Sequence, residues 1–285
     1  MSEELAIDQL RSWIGKQEQQ SDTITDELLK RFRATLGAYT KLDENIPLGL
    51  HWCLAQPAAD PDTLGLDGHP AKGGFLPPVP LPRRMWASGR LQFHKSPNID
   101  APIQRISTVT DVTLKQSAAS GPLVFVQVDH QHVQSGATLI EESQTLVYRK
   151  PAAFKPAPIP DQIPSSAHSL NIMPDSTLLF RYSALTFNGH RIHYDQPYTT
   201  AEEGYPGLVV HGPLMATLLM NLAQSSRPNT RLRVFQFRGL APAFVDQGLE
   251  LAIVDDEDNS QSLEIRNQAG ALIMSATAGF GHATA

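Results

Sequence analysis

Cysteine is almost absent: Cys53 is the only one in 285 residues. That excludes an intrachain disulfide and any cysteine-based zinc cluster, and it suits a reducing compartment. Basic charge is not in excess either. The net charge is −6, the isoelectric point is near 5.9, and no Lys/Arg run of motif length occurs, so no nucleic-acid partner is expected. No apolar run approaches the ~18 residues of a membrane span. The start, MSEELAIDQLRSWIGKQEQQSD, lacks both the apolar core of a signal peptide and the Arg/Ser-rich pattern of a transit peptide. A soluble cytoplasmic protein without membrane contact is the expectation. Also missing are a G-x-S-x-G elbow and a Walker A sequence. Gly65-Leu-Asp-Gly68 and Gly279-Phe-Gly281 are too short or misplaced for a dinucleotide fingerprint, and Cys53 sits in LHWCLAQ with only His51 as suggestive company.

What is present is an ordinary globular balance, 41% hydrophobic and 18% charged, in a chain long enough for two domains. Five prolines in KPAAFKPAPIPDQIP divide it near the middle. Proline fixes φ and removes a donor, so this stretch reads as an extended linker. The expected organisation is a first domain over 1–150, a linker over 151–167 and a second domain over 168–285.

In the first half, Ile24, Leu28, Leu29, Phe32 and Leu36 share one helical face, with Thr23 and Asp26 resembling a capping box. A Gly/Pro-rich stretch, Asp67–Pro82, precedes four segments of strand character: Met85–His94, Ile103–Lys115, Leu123–His132 and Ala137–Arg149. In the second half a strand is expected over Thr177–Phe187. An apolar, buried helix follows over Pro213–Gln224, with proline at its favoured first position. Strands are then expected over Arg231–Phe237, Leu249–Val254, Ser262–Arg266 and Ala271–Phe280. A buried helix wrapped by an antiparallel sheet, twice over, is an α+β arrangement.

The densest chemistry lies in RYSALTFNGHRIHYDQPYTTAEEGYPGLVVHGPL, from Arg181 to Leu214. Asn188, His190, His193 and Asp195 crowd one turn, and Gly212-Pro213 opens the apolar helix. The first N–H groups of a helix are unpaired and carry partial positive charge, and glycine lets a ligand approach them. Such a juxtaposition can move a proton and stabilise an anionic oxygen together. Turn hydrogen bonding and a well-capped buried helix are the plainer readings of the same residues. A metal site on His190, His193 and Asp195 is disfavoured, because the segment lacks the helical periodicity that aligns such ligands and no HExxH is present.

This segment resembles the active-site region of the R-specific enoyl-CoA hydratases, also called MaoC-like dehydratases. LTFNGHRIHYDQPY, YPGLVVHGPL, GGFLPPVPLPRRMW and VFQFRGLAPAF are similar to the itaconyl-CoA and mesaconyl-C4-CoA hydratases and to the fungal mitochondrial type 2 hydroxyacyl-thioester dehydratases. The resemblance covers both halves. It implies a double hot-dog fold, two antiparallel sheets each around a central helix, with the hydratase site in the second half and an acyl-enclosing first half. By the same likeness His193 is the catalytic base and acid, Asn188 stands where most relatives carry an aspartate, and Gly212 N–H takes the thioester oxygen. Asn188 can orient water but cannot act as the base. His190 and Arg191 replace the family's Asn and Pro.

The implied substrate is an α,β-unsaturated acyl-CoA of a C5 dicarboxylic acid, hydrated to citramalyl-CoA. Arg83, Arg84, Arg191 and Arg238 are candidates for its second carboxylate or for CoA phosphates, with His190 beside them. Asp195 is a candidate to orient a histidine or to cap the turn. No cofactor and no metal is expected, the CoA thioester being substrate. A homo-oligomer, with a dimer favoured, is the implied assembly. A fatty-acid dehydratase, a thioesterase and a non-catalytic acyl-CoA-binding module remain as alternatives.

Overall fold

Alternating apolar and polar residues between Arg83 and Arg149 become four long antiparallel strands in the computed structural model, which describes residues 6–37, 39, 46–118, 121–166 and 168–282. The elements are α1 (Ile7–Arg11), β1 (Gln17–Thr23), α2 (Asp26–Leu36), β2 (Arg83–Phe93), β3 (Pro102–Ser117), β4 (Gly121–Gln134) and β5 (Ala137–Arg149). They continue with β6 (His168–Ile172), α3 (Ser176–Leu185), α4 (Gln196–Ala201), α5 (Gly212–Ser226), β7 (Thr230–Gly239), β8 (Leu249–Glu257), β9 (Ser260–Asn267) and β10 (Leu272–His282).

The strand order β1-β3-β4-β5-β2-β7-β10-β9-β8-β6 reads as the same five-stranded plan from either end. The halves meet where Ser88–Gln92 of β2 pairs with Val234–Arg238 of β7, so the ten strands are continuous. This is the doubled arrangement expected of a double hot-dog. In the second half α5 lies against β7–β10. Leu214, Met215, Leu218, Leu219 and Met220 are all buried in it, as expected of a helix without a polar face. The first half differs. Between α2 and β2 its described residues carry only short 3-10 turns, and the Leu50–Cys53 turn is buried throughout. α2 packs instead on α3.

One expected element is corrected. Thr177–Phe187 is no strand; Ser176–Leu185 is helix α3. Asp175 caps it by accepting from Leu178 N at 2.7 Å, and Leu178, Leu179 and Tyr182 turn one face inward. Tertiary burial and the cap outweigh the strand preference of its Thr, Phe and Tyr. Helix α2 is capped by Thr25, which accepts from Leu28 N, whereas Thr23, expected in the capping box, closes β1. The stretch 151–166 has neither helix nor strand.

Candidate active site

The turn after α3 is tight and irregular. Phe187 takes φ +48°, an uncommon conformation for a side-chain-bearing residue, and Asn188 follows at once. Asn188 N donates to Ser183 O at 2.9 Å, and Asn188 Oδ1 accepts from His190 N at 3.0 Å. A single 3-10 turn, Arg191–His193, then buries His193.

His193 is fixed by one bond: Nδ1 lies 2.7 Å from Val209 O. A carbonyl only accepts, so Nδ1 carries the proton and Nε2 keeps its lone pair. The segment supplying that carbonyl is itself paired to a neighbouring loop, through Val210 N to Ala243 O and Val245 N to Leu208 O, both 2.9 Å. The His193 ring stacks on His211, with centroids 3.6 Å apart and planes 18° apart. His211 Nε2 is 2.8 Å from Ser183 Oγ. Burial lowers the His193 pKa to about 4, the Val209 bond opposing it in part. Burial and then His193 push His211 well below the ordinary range. Both rings are therefore neutral near pH 7.

α5 begins at Gly212. A Cβ there would meet open space; Pro213 has no N–H and the first helical bond is Met215 N to His211 O, so the Gly212 and Leu214 N–H groups are the unpaired donors at the positive end of the helix. Asn188, Gly189, Ser183 and Pro213 line a cavity of about 660 Å³. Asn188 and Pro213 share that lining, and His193 reaches the start of α5 through its stack on His211, the residue before Gly212.

The arginines divide. Arg191 is committed: Nε and Nη2 bind Asp195 Oδ2 at 3.0 and 2.8 Å, Nη1 donates to Leu66 O at 3.1 Å, and the guanidinium lies 4.0 Å over Tyr198. Arg83 is buried and paired with Glu203 at 3.0 Å, with further bonds to Ala152 O and Glu203 O. Arg238 is exposed on β7 and lies on the opposite face from Phe235 and Phe237. None of these three lines the cavity. Arg84 differs in its pairing. It is half-buried, forms no ion pair among the described residues, and its charge bears on Asp67, His69 and His190. Asp195 orients no histidine. Its Oδ1 caps α4 by accepting from Tyr198 N at 3.1 Å, and its Oδ2 holds Arg191.

Two groups of residues escaped the sequence reading. His69 comes from the Gly/Pro-rich loop of the first half, its ring 4.2 Å from His190, which is in turn 5.4 Å from His193. Its Nδ1 is 3.0 Å from Asp67 Oδ2. Asp67, His69 and His190 bring ligand-type atoms within 4.8 Å of one another. The second group is a buried polar floor. In VFVQVDHQHVQ the strand period of two puts His130 and His132 on the same inward face as Val124, Val126 and Val128. They join His51, Arg105 and Glu142 on the cavity wall. Glu142 accepts from Trp52 Nε1 and from Gln144 Nε2, each at 2.9 Å. Burial raises its pKa to about 7 against these bonds. His51 Nε2, Arg105 Nε, His130 Nε2 and His132 Nδ1 are buried without hydrogen-bond partners. The alternation was readable in the sequence; that it formed a polar floor was not.

Fold and site together define a double hot-dog protein whose longest described helix begins beside a buried, carbonyl-anchored histidine. Residues 49–245 match the family model of hydroxyacyl-thioester dehydratase type 2. A mesaconyl-C(4)-CoA hydratase of Chloroflexus aurantiacus is 45% identical over 95% of this chain and 97% of that one. The mitochondrial type 2 hydroxyacyl-thioester dehydratase of Schizosaccharomyces pombe is 29% identical over 81% and 88%. Among solved structures, a MaoC-like dehydratase of Phytophthora capsici superposes with a TM-score of 0.68 at 11% identity, covering 98% of this chain and all of that one. A Mycobacterium tuberculosis protein described as having a double hot-dog fold gives 0.56 at 12%, over 94% and 96%. The chain belongs to the hydroxyacyl-thioester dehydratase type 2 family.

Proposed function

We propose that this protein is a hydro-lyase that hydrates, reversibly, the α,β-unsaturated dicarboxylic thioester mesaconyl-C4-CoA to citramalyl-CoA, with itaconyl-CoA, whose double bond lies one carbon further from the thioester, as the alternative substrate. The observation that carries the chemistry is His193: a neutral imidazole with its Nδ1 proton anchored on Val209 O, at the start of α5. In this reading Nε2 takes a proton from water as the water oxygen bonds to the β-carbon. The electrons move to the thioester oxygen at Gly212 N–H, and the proton then passes to the α-carbon. Asn188 orients the water. No cofactor enters the reaction. The second half carries this site, and the first half encloses the acyl group.

The polar floor supports the short dicarboxylic acid over a fatty acyl chain. A second cavity, lined by Ile24, Leu48, Leu54, Ile103 and Leu139, would suit an alkyl chain. His51 and His132 line both cavities, so buried polar nitrogens stand where an alkyl tail would pass. Arg105, on the cavity wall with an unpartnered Nε, is the arginine placed for the second carboxylate, and Arg84 is left for a CoA phosphate. Since β1 and β6 form the outer edges of the sheet, association into a homodimer is part of the proposal, and sedimentation would measure it.

The test is a panel of mesaconyl-C4-, itaconyl- and crotonyl-CoA, followed by loss of double-bond absorbance and gain of one water in mass. The dicarboxylic thioesters should turn over fastest, and His193→Ala should be nearly inactive. Near-normal turnover by that variant sinks the assignment. Preference for crotonyl-CoA would favour the fatty-acid dehydratase, and free CoA would mark a thioesterase.

A further inference from the structure

The turn carrying Asn188 is braced from outside by a loop of the first half. Gly68, at φ +85°, lies so near that a Cβ there would stand 2.0 Å from Gly189 O, and a Cβ on Gly189 would stand 2.6 Å from Gly68 O. Arg191 N donates to Asp67 O at 2.9 Å. Two backbones in such contact fix the residue that follows, and that residue is His69. It lines the same cavity as Asn188. Asp67 holds it twice, through Oδ2 to Nδ1 at 3.0 Å and Oδ1 to its backbone N–H at 3.1 Å. A carboxylate only accepts, so the ring proton sits on Nδ1 and the lone pair on Nε2.

An attacking water has two protons, and His193 takes one. Asn188 Nδ2 can donate to the water oxygen, and one of the two lone pairs of its Oδ1 holds the His190 N–H. We propose that His69 Nε2 accepts the second water O–H, with Asp67 as its positioning residue. The first half then supplies the carboxylate-backed group that position 188 lacks. This rests on the hydratase reading. In the step, the C–O bond forms at the β-carbon while one water proton moves to His193 Nε2 and the π electrons shift to the thioester oxygen. The enolate then takes that proton at the α-carbon. His69 gains no proton; it keeps a hydrogen bond to the new hydroxyl. Burial, then Arg84, hold the His69 pKa at about 4 against the pull of Asp67, so the ring is neutral in the working range.

Steady-state hydration by His69→Ala and Asp67→Asn tests this, with circular dichroism and melting temperature as fold controls. His69→Ala should lower kcat by about 100-fold with KM changed less than about threefold, and added imidazole should restore part of the loss. Asp67→Asn should lie between it and the unmodified protein. A kcat for His69→Ala within about twofold of normal overturns the inference. So does a loss that falls on KM and ignores imidazole, since that marks a structural role. Activity removed by EDTA and restored by zinc also overturns it, by giving Asp67, His69 and His190 to a cation. If the unmodified protein hydrates none of the panel, the hydratase reading itself fails; if it does and His69→Ala does too, only this inference fails.

Discussion

Lowering the pH from 7.5 to 5 should cost this protein much of its stability, through histidines that fold only when neutral. His130, His132 and His193 are 8%, 2% and 7% exposed, and burial lowers their pKa values to about 3, 3 and 4. The unfolded chain binds a proton on each near pH 6.5. Their contribution is therefore complete above that pH and is lost as pH falls toward the folded values. At pH 5 each has lost about 2 kcal/mol, about 6 kcal/mol for the three. Glu142 acts in the opposite sense. Its folded pKa, raised to about 7, lets the native state take up a proton first, returning about 2 kcal/mol over the same interval. The net loss is about 4 kcal/mol, against a typical total of about 5–15 kcal/mol. His51, His190 and His211, lowered in the same direction, deepen it.

Urea unfolding followed by the fluorescence of the three tryptophans measures this directly. The midpoint should fall by at least about 1 M between pH 7.5 and 5. His132→Gln keeps hydrogen-bonding capacity without a titrating group and should flatten the dependence by about one third of the histidine part. Midpoints within about 0.3 M at the two pH values would refute the reasoning, for then these rings are not neutral and buried in the native state.

Other outcomes follow from single contacts. Gly68→Ala must move backbone away from Gly189 O and strain a left-handed φ, about 1–2 kcal/mol for the φ alone; hydration should drop sharply, while Gly74→Ala, nearest atom 3.9 Å away, should be neutral in the same assay. His132→Leu removes a polar group shared by the two cavities, so kcat/KM for a long-chain enoyl-CoA should rise relative to the dicarboxylic substrates. Ser183→Ala strips His211 of its one bonded nitrogen and should destabilise by about 1–3 kcal/mol in denaturant titration. Phe235→Ala, fully buried beside the β2–β7 junction, should cost about 3–5 kcal/mol by the same measurement.

What the sequence made legible was what local pattern governs. Strand-forming composition between turn signals located β2 to β5 and β7 to β10 within a few residues, and the largely apolar run after Gly212-Pro213 located α5. The polar strand β1, QEQQSDT, carries no such pattern, because it is an edge strand facing solvent; its place is set by pairing with β3. α3 was misread because its inward face is a product of tertiary burial. In the site, His193 and Asn188 were visible as a dense turn with a family likeness. The arginines were not assignable, because a guanidinium's role depends on whether an acceptor such as Asp195 or Glu203 reaches it first. His69 lies 124 positions before His193 in a loop rich in glycine and proline, and only the fold joins them.

Two departures of this chain from a symmetrical double hot-dog meet at the same place. The first half, in its described residues, puts a buried 3-10 turn at Leu50–Cys53 where the second half has α5. Without a long helix on that face, strands β4 and β5 present His130, His132 and Glu142 to the cavity. The second is Asn188, an amide that lines that cavity from the other half. A site assembled from both halves is only as well ordered as the joint between them. The joint is rigid by construction: five consecutive pairs from Ser88↔Arg238 to Gln92↔Val234, and Gly89 so close beneath Phe237 that a Cβ would stand 2.6 Å from its ring. Gly89 therefore belongs to the site's architecture without touching it, since a side chain there would press on the buried Phe237 ring across the junction that sets the loop of one half against the turn of the other.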